Sequence, residues 1–474
     1  MTASRIRHNV SYFLPTIYTI TDWLTILLAE YAAYGLRNVC VSTSHLHIAW
    51  MNGFIAFPLL FILFFRQMNV YQKRIGYWKF LEKLFYGCTY AIAAIIVLLY
   101  ISHVAESTSR LFIAFFWCFS FFFMILSRNL VNGILNWAGV GRIPLLLVGA
   151  GKTARLLLRG IREDPGLRFQ LVGYLDDAGA QQENVGDLPY LGNFSQAADV
   201  ITRTKVQDVI IAAPGLTKEA LNQLLHKIQP LVRNISFVPD LIGLPVNGLE
   251  VETLFNERLM VMTLRNNLAR AYNRFFKRIF DLVLTIIGGI CLSPLFLLLA
   301  ILIKADSKGP VIFAHTRIGK DGKSFPCLKF RTMCVDADVQ LEKYLAANPA
   351  ARKEWEAEYK LKDDPRVTRM GRVLRRTSLD ELPQLLNVLR GEMSLVGPRP
   401  IVTAEIPRYG EYIRDFQMVL PGITGMWQVN GRSDTTYDER VQMDSWYVRN
   451  WSVWLDIMLL WKTIHVVTGR RGAY

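Results

Sequence analysis

The chain has 474 residues, enough for two or three domains and too many for one core. It is 52% hydrophobic yet carries a formal net charge of +15. A nucleic-acid binder would be basic without long apolar runs, so the combination points away from nucleic acid and toward a membrane protein with basic cytoplasmic surfaces.

The six cysteines (40, 88, 118, 291, 327 and 334) form no CxxC pair, so neither a disulfide framework nor a zinc site is expected. The first apolar stretch lacks a small-residue cleavage site, and no cleavable signal peptide is expected.

Four apolar segments occupy the first 140 residues: Phe13 to Leu36, Ile48 to Phe65, Leu84 to Ile101 and Leu111 to Leu126. Each is close to the ~20 residues that cross a bilayer core as a helix. Asp22 and Glu30 are costly in lipid and are expected to face the bundle interior. Arg5 and Arg7 precede the first segment, and Arg66, Lys73, Arg74, Lys79 and Lys83 crowd the second loop. The positive-inside rule therefore puts both ends of a four-helix transmembrane domain, residues 1–141, in the cytoplasm.

The stretch RIPLLLVGAGKTARLLLRGIREDPGLRFQLVGYLDD follows. Its apolar strand, Ile143 to Val148, runs into Gly149-Ala-Gly151-Lys-Thr-Ala154, then a helix, then a strand ending at Asp176–Asp177. That is a βαβ opening with a GxGxxA turn, so Gly149, Gly151, Ala154 and Asp176 are candidate nucleotide contacts. VQDVIIAAP and NISFVPD read as further strands around a helix at Lys218 to Ile228. A Rossmann-like domain over residues 142–265 fits, as a scaffold or ligand sensor more readily than as a redox centre.

The fifth apolar segment, residues 281 to 304, is long enough to span, yet both flanks are basic. Arg265, Arg270, Arg274, Lys277 and Arg278 precede it, and Lys304, Lys308, Arg317 and Lys320 follow. Ser293-Pro294 lies midway, where proline removes a helix hydrogen bond. A helix that breaks there and returns to the same leaflet satisfies both observations, with the Ser293 hydroxyl taking up a freed backbone group. The last 50 residues hold five of the eleven tryptophans, and DSWYVRNWSVWLDIMLLWKTIHVV reads as a helix in the membrane interface, with a buried soluble helix as the alternative.

Between these pieces the chain is basic and dense in motifs. KFRTM at 329 to 333 is followed by DDPRVTRMGRVLRRTSLDELPQ at 363 to 384, where Arg369, Arg372 and Arg376 fall at helical spacing. Cationic side chains there are nearly all arginine, which suits bidentate phosphate contacts. Ser378-Leu-Asp-Glu381 matches a capping box, in which the acids would merely start a helix, at about 0.3–1 kcal/mol. Pro383 argues against it, because it would fall inside the first hydrogen-bonded turn. A helix from Asp380 to about Arg390, stopped by Gly391, is expected instead, with two acids among arginines favouring a deprotonated nucleophile and a divalent-metal ligand.

The strings KFRTM, RRTSLDELPQLLNVLRGEMSLVGPRP and PGITGMWQVNGR resemble the catalytic domain of the bacterial polyprenyl-phosphate hexose-1-phosphate transferases, also called monotopic phosphoglycosyl transferases. The resemblance covers residues 266–474, and the two preceding domains resemble those of the large members. MTLRNNLAR, LKDDPR, DSWYVRNW and the GAY terminus look most like the galactose-transferring members, with glucose the runner-up.

The resemblance implies a mainly helical catalytic domain with a re-entrant membrane helix on the cytoplasmic face of the inner membrane. It implies transfer of a hexose-1-phosphate from a UDP-sugar to undecaprenyl phosphate, releasing UMP, with Mg²⁺ as cofactor and a homodimer as the assembly. It makes Asp380 the nucleophile and Glu381 its metal or orienting partner. Arg375 and Arg399 match phosphate-binding arginines, and Arg376, Lys329, Arg331, Gln428, Asn430 and Arg432 are further candidate contacts. Ser293 and Pro294 match the break of the re-entrant helix.

Two rival readings make different demands on the sequence. A nucleotide-sugar oxidoreductase or epimerase commonly needs a Tyr-x-x-x-Lys pair, and no tyrosine in this chain has a lysine four residues later. An assembly scaffold would use the dyad only as a helix start, and it would release no UMP.

Overall fold

The computed structural model describes residues 2–41, 52–71, 76–103, 108–138, 142–164, 166–180, 185–239, 250–254, 259–263, 268, 270–348, 352, 361, 364–430 and 435–468. The chain divides into two compact units, Met1–Asp240 and Leu241–Tyr474.

In the first unit α1 (Thr2–Cys40) precedes a π-helical turn (Asn52–Ala56) and α2 (Phe57–Gln67), followed by α3 (Tyr77–Ile101) and α4 (Arg110–Trp137). Pro58 enters at the start of α2, where no helix bond is lost. Ile26, Phe57, Phe61, Phe65, Leu84, Ile95, Phe112 and Phe116 form the core between these helices. Asp22 faces that interior as expected and accepts a hydrogen bond from Arg128 Nη2 at 2.8 Å. Among the described residues three helices are long and apolar enough to cross a membrane, α3, α4 and residues Ala271–Asp306, which marks a membrane protein. The second expected segment is a shorter apolar helix, Gly53–Gln67.

A parallel sheet completes the unit. Its strands are β1 (Ile143–Val148), β2 (Phe169–Leu175), β3 (Tyr190–Gly192), β4 (Asp208–Ile211) and β5 (Asn234–Phe237), in the order β3-β2-β1-β4-β5. Helices α5 (Lys152–Glu163), α6 (Ala197–Thr204) and α7 (Lys218–Ile228) connect them, which is a doubly wound arrangement. Leu145 to Val148 are fully buried because a central parallel strand is covered on both faces. Gly149 has φ +98°, and a Cβ there would stand 2.8 Å from Ala212 O. Asp164 accepts the Tyr77 N–H at 2.8 Å, satisfying the first orphan donor of α3.

The second unit begins with a hairpin, β6 (Glu250–Leu254) and β7 (Leu259–Thr263), inside the segment first assigned to the Rossmann-like domain. Then comes α8 (Ala271–Asp306) and a second hairpin, β8 (Ile312–Ile318) and β9 (Ser324–Phe330). After these come α9 (Ala337–Ala347), α10 (Arg369–Thr377) and α11 (Gln384–Arg390). A parallel pair, β10 (Ser394–Val396) with β11 (Gly422–Thr424), encloses two short helices, α12 (Ile406–Tyr409) and α13 (Ile413–Gln417). The unit closes with α14 (Met426–Asn430), α15 (Tyr437–Asn450) and α16 (Val453–Thr468).

Helical residues continue through Ser293–Pro294 within α8. Pro294 lacks the N–H that would bond Ile290 O, and Ser293 Oγ donates to that same carbonyl at 2.7 Å. Both ends of α8 bond to this unit. Arg278 donates to Val388 O and Leu389 O at the end of α11, while Asp306 accepts the Met370 N–H of α10 at 2.9 Å. Leu299 and Ile303 pack on Phe330 and Leu374, whereas Ile286, Ile287, Ile290, Leu297 and Leu298 are exposed.

The tryptophan-rich end also differs from the expected interfacial helix. It is two helices, and Trp427, Trp451 and Trp454 are buried, with Trp461 exposed. The reason is a buried polar centre. Asp456 accepts from Lys277 Nζ at 2.7 Å, Tyr447 Oη at 2.7 Å and Trp451 Nε1 at 3.0 Å. Asp281 stands 3.8 Å from Lys277 and accepts from Ser394 Oγ at 2.7 Å.

Candidate active site

Ser378 adopts the left-handed conformation, φ 56°, and ends α10. Its side chain makes no cap bond, so the capping box is not formed. Asp380 and Glu381 lie in a 3₁₀ turn, Leu379–Glu381, and α11 begins only at Gln384 with Pro383 as its N-cap. The helix expected to start at Asp380 is therefore delayed, because the reversal at Ser378 leaves room for only one tight turn before proline. Gly391, at φ 83°, ends α11 as expected.

Two contacts bring this turn onto the β9 edge. Asn387, fully buried in α11, accepts the Leu328 N–H at 3.0 Å and donates to Pro326 O at 2.8 Å. That fixes the register of β9, and Lys329 then reaches the dyad. Its Nζ donates to Glu381 Oε1 at 2.7 Å and lies 3.9 Å from Asp380 Oδ2. The exit from β9 holds α10. Thr332 O accepts the Thr368 N–H, and a Cβ on Gly371 would collide with that carbonyl. Arg375 Nε donates to Thr332 Oγ1 at 3.0 Å, which sets its guanidinium near Asp380.

Burial pushes the Asp380 carboxyl above its ordinary value, and the Glu381 carboxylate adds to the rise, while Lys329 and Arg375 oppose it. Of the two opposing effects expected there, loss of water outweighs the cations. A desolvated carboxylate is a stronger nucleophile once ionised, and the cations beside it also suit an incoming phosphate.

The other candidates divide. Arg399 is exposed, with its guanidinium 5.6 Å from the Trp427 ring. Arg376 is exposed on α10. Arg331 is directed elsewhere. It donates to Ser307 O at 2.8 Å and Ser307 Oγ at 2.9 Å, and also to Lys308 O, clasping the exit of α8. Gln428 Nε2 donates to Ile423 O at 3.3 Å, and Asn430 Oδ1 accepts from Lys462 at 2.9 Å, so both brace α14. Arg432 lies outside the described residues. In the first unit the turn carrying Gly149, Gly151 and Ala154 holds Asp176, whose Oδ2 accepts the Ala150 N–H at 2.6 Å.

Sequence reasoning missed Asn387 as a clamp, and His315 and Arg317 as neighbours of the site. The alternation of β8 could have suggested the last two, but not where that face would point.

A family model described as bacterial sugar transferase matches residues 272–470, and one described as CoA-binding domain matches residues 35–239. The undecaprenyl-phosphate galactose phosphotransferase of Salmonella typhimurium is 38% identical over 412 residues, covering 87% of this chain and 86% of the relative. The chain belongs to the bacterial sugar transferases. The UDP-glucose:undecaprenyl-phosphate glucose-1-phosphate transferase of Xanthomonas campestris is 32% identical, covering 82% of the chain and 80% of the relative. An exopolysaccharide production protein of Sinorhizobium fredii is 50% identical over 198 residues, which are 42% of this sugar transferase and 88% of that relative.

Proposed function

We propose that this sugar transferase moves a hexose-1-phosphate from a UDP-sugar to undecaprenyl phosphate, as the membrane step that starts polysaccharide assembly. The observation that carries it is the half-buried Asp380 beside Glu381, with the Lys329 ammonium reaching both.

An Asp380 oxygen attacks the β-phosphorus of the UDP-sugar. The bond from that phosphorus to the bridging oxygen breaks, and UMP leaves with the electron pair. A phosphate oxygen of undecaprenyl phosphate then attacks the same phosphorus, the aspartyl P–O bond breaks, and the Asp380 carboxylate is regenerated. Lys329 and Arg375 supply positive charge where it develops.

The two carboxylates suit Mg²⁺, which commonly takes one or two protein carboxylates with substrate phosphates and water. Asp380 and Glu381 would hold it, and the lysine ammonium already drawn between them supports a cation-seeking pair. The ion would neutralise phosphate charge.

Galactose is the sugar supported by the Salmonella relative's name. The Xanthomonas relative supports glucose as the second reading. A re-entrant α8, at the cytoplasmic face of the inner membrane, is supported by its two ends bonding to one folded unit while its apolar middle is exposed. The glycine turn of the first unit already gives an N–H to Asp176, and no step of the transfer is assigned to it or to a coenzyme.

The test is UMP release from UDP-galactose and UDP-glucose, with undecaprenyl phosphate and Mg²⁺, by wild type and Asp380→Asn. Release with one sugar, lost in the variant along with any phospho-sugar adduct, is expected. Wild-type turnover in Asp380→Asn would sink the nucleophile assignment.

A further inference from the structure

The arginines of α10 divide into two sets. Arg375 turns inward to Thr332, while Arg369, Arg372 and Arg376 are exposed, with Val373 exposed among them. Their helical spacing makes these four one outward stripe. Gly371 and Leu374 form the other side, against the Thr332 carbonyl and the core. The stripe holds three cations and no acid. Nearby, Asp364 is committed to Arg366 at 2.6 Å and Asp306 to the Met370 N–H at 2.9 Å, and among the described residues none bonds the three arginines. Like charges at this spacing destabilise a helix, so an external anion is favoured on the stripe.

Its position says which anion. Met370 and Leu374 of α10 pack with Leu295, Phe296, Leu299 and Ile303 of α8. Those four lie in the last turns of the α8 apolar segment, which ends at Lys304. Between them Leu297, Leu298, Ile301 and Leu302 are exposed, the surface that an apolar helix gives to lipid. Leu299 precedes Lys304 by only about 7 Å of helix rise. The headgroup layer of one leaflet is roughly 5–8 Å thick, so α10 lies at the level of the lipid phosphates. Arginine stems can follow apolar surface and carry their heads into that layer. Lys304 and Lys308, exposed where α8 ends, add positive charge to the same zone.

We propose that the Arg369–Arg372–Arg376 stripe docks on the phosphate headgroups of anionic lipids around the end of α8. The contact holds α10, and the dyad turn that directly follows it, against the bilayer surface. It goes beyond the transfer reading and does not depend on it.

The experiment follows deuterium uptake of peptides covering residues 369–377 in full-length protein. Nanodiscs of phosphatidylcholine alone are compared with nanodiscs that also hold phosphatidylglycerol. Each basic side chain near an anionic leaflet is worth about fivefold in association, so uptake in wild type should slow about fivefold or more with phosphatidylglycerol. The slowing should vanish at ~1 M salt, where the Debye length is about 3 Å. It should be lost in Arg369→Gln/Arg372→Gln and kept in Arg369→Lys/Arg372→Lys, which retains the charges. The salt series needs no substitution, so the test stands even where a variant fails to fold. Wild-type uptake within twofold in the two lipids would overturn the proposal, as would slowing that survives in the glutamine variant. Slowing by undecaprenyl phosphate in neutral nanodiscs, with none from phosphatidylglycerol, would assign the stripe to the acceptor and overturn the lipid contact.

Discussion

The buried centre around Asp456 makes the sharpest energetic prediction. Its carboxylate is fully buried and accepts from Lys277, Tyr447 and Trp451, joining α8, α15 and α16. In Asp456→Ala the Lys277 ammonium is left with Asp281, 3.8 Å away, Tyr447 Oη falls back on Val396 O at 3.0 Å, and the Trp451 Nε1 bond to Asp456 is lost. Breaking a buried pair by removing one partner costs about 3–5 kcal/mol. For a folding unit of this size each kcal/mol moves the melting temperature by roughly 2–4 °C, so a fall of roughly 6–20 °C is expected. Asp456→Asn keeps an acceptor of the same shape and should fall less.

Lys277→Met/Asp456→Leu removes the close pair together, leaves Asp281 held by the Ser394 Oγ and Leu395 N–H donors, and should recover part of the loss, because apolar replacement of a buried pair is often neutral. The assay is thermal unfolding in nanodiscs, followed by tryptophan fluorescence. Asp456→Ala melting within ~2 °C of wild type, or a double variant less stable than Asp456→Ala, would refute the reasoning.

Four other outcomes follow from the geometry. The acid limb of the rate should lie above the ordinary carboxylate range, because Asp380 must ionise and burial raises its pKa; Lys329→Met should move that limb to higher pH, and a limb that stays put would separate the lysine from the nucleophile. Burial pushes Asp444 from 3.8 up to about 8, so between those values the unfolded chain ionises there and the folded one does not. Stability contributed by the protonated carboxyl is lost as pH rises through that window, and Asp444→Asn should flatten the dependence of melting temperature on pH.

Ser293→Ala orphans Ile290 O and should destabilise by about 0.5–1.5 kcal/mol, whereas in a Pro294→Ala background it should cost almost nothing, since the restored N–H takes that carbonyl. Additive losses in a melting series would contradict this. Protein lacking residues 1 to 265 keeps the whole sugar transferase match, residues 272–470, and should retain transfer activity; a folded but inert fragment would tie the first unit to catalysis.

Local signals carried much of the architecture. Ile143 to Val148 and Lys218 to Ile228 are the strand and helix that their apolar patterns indicate, since one buried strand or one amphipathic face is written in consecutive residues. The dyad and its arginines were legible because they fall within one contiguous motif, and Gly391 as a stop needed only its own left-handed backbone. The Ser293 bond to Ile290 O is likewise local, three residues apart.

What the sequence alone determined is therefore what neighbouring residues decide: the apolar segments, the βαβ opening, the basic flanks of α8 and the identity of the acids. Tertiary structure decided the rest, because it depends on charges that meet from distant elements. Lys277 and Asp456 are 179 residues apart, and their pairing drew into the core tryptophans whose spacing alone suited a membrane surface. Arg331, a candidate phosphate contact on its motif alone, is turned to the end of α8 by carbonyls 23 and 24 residues earlier. The rise in the Asp380 pKa came from burial, a quantity no single stretch of sequence contains.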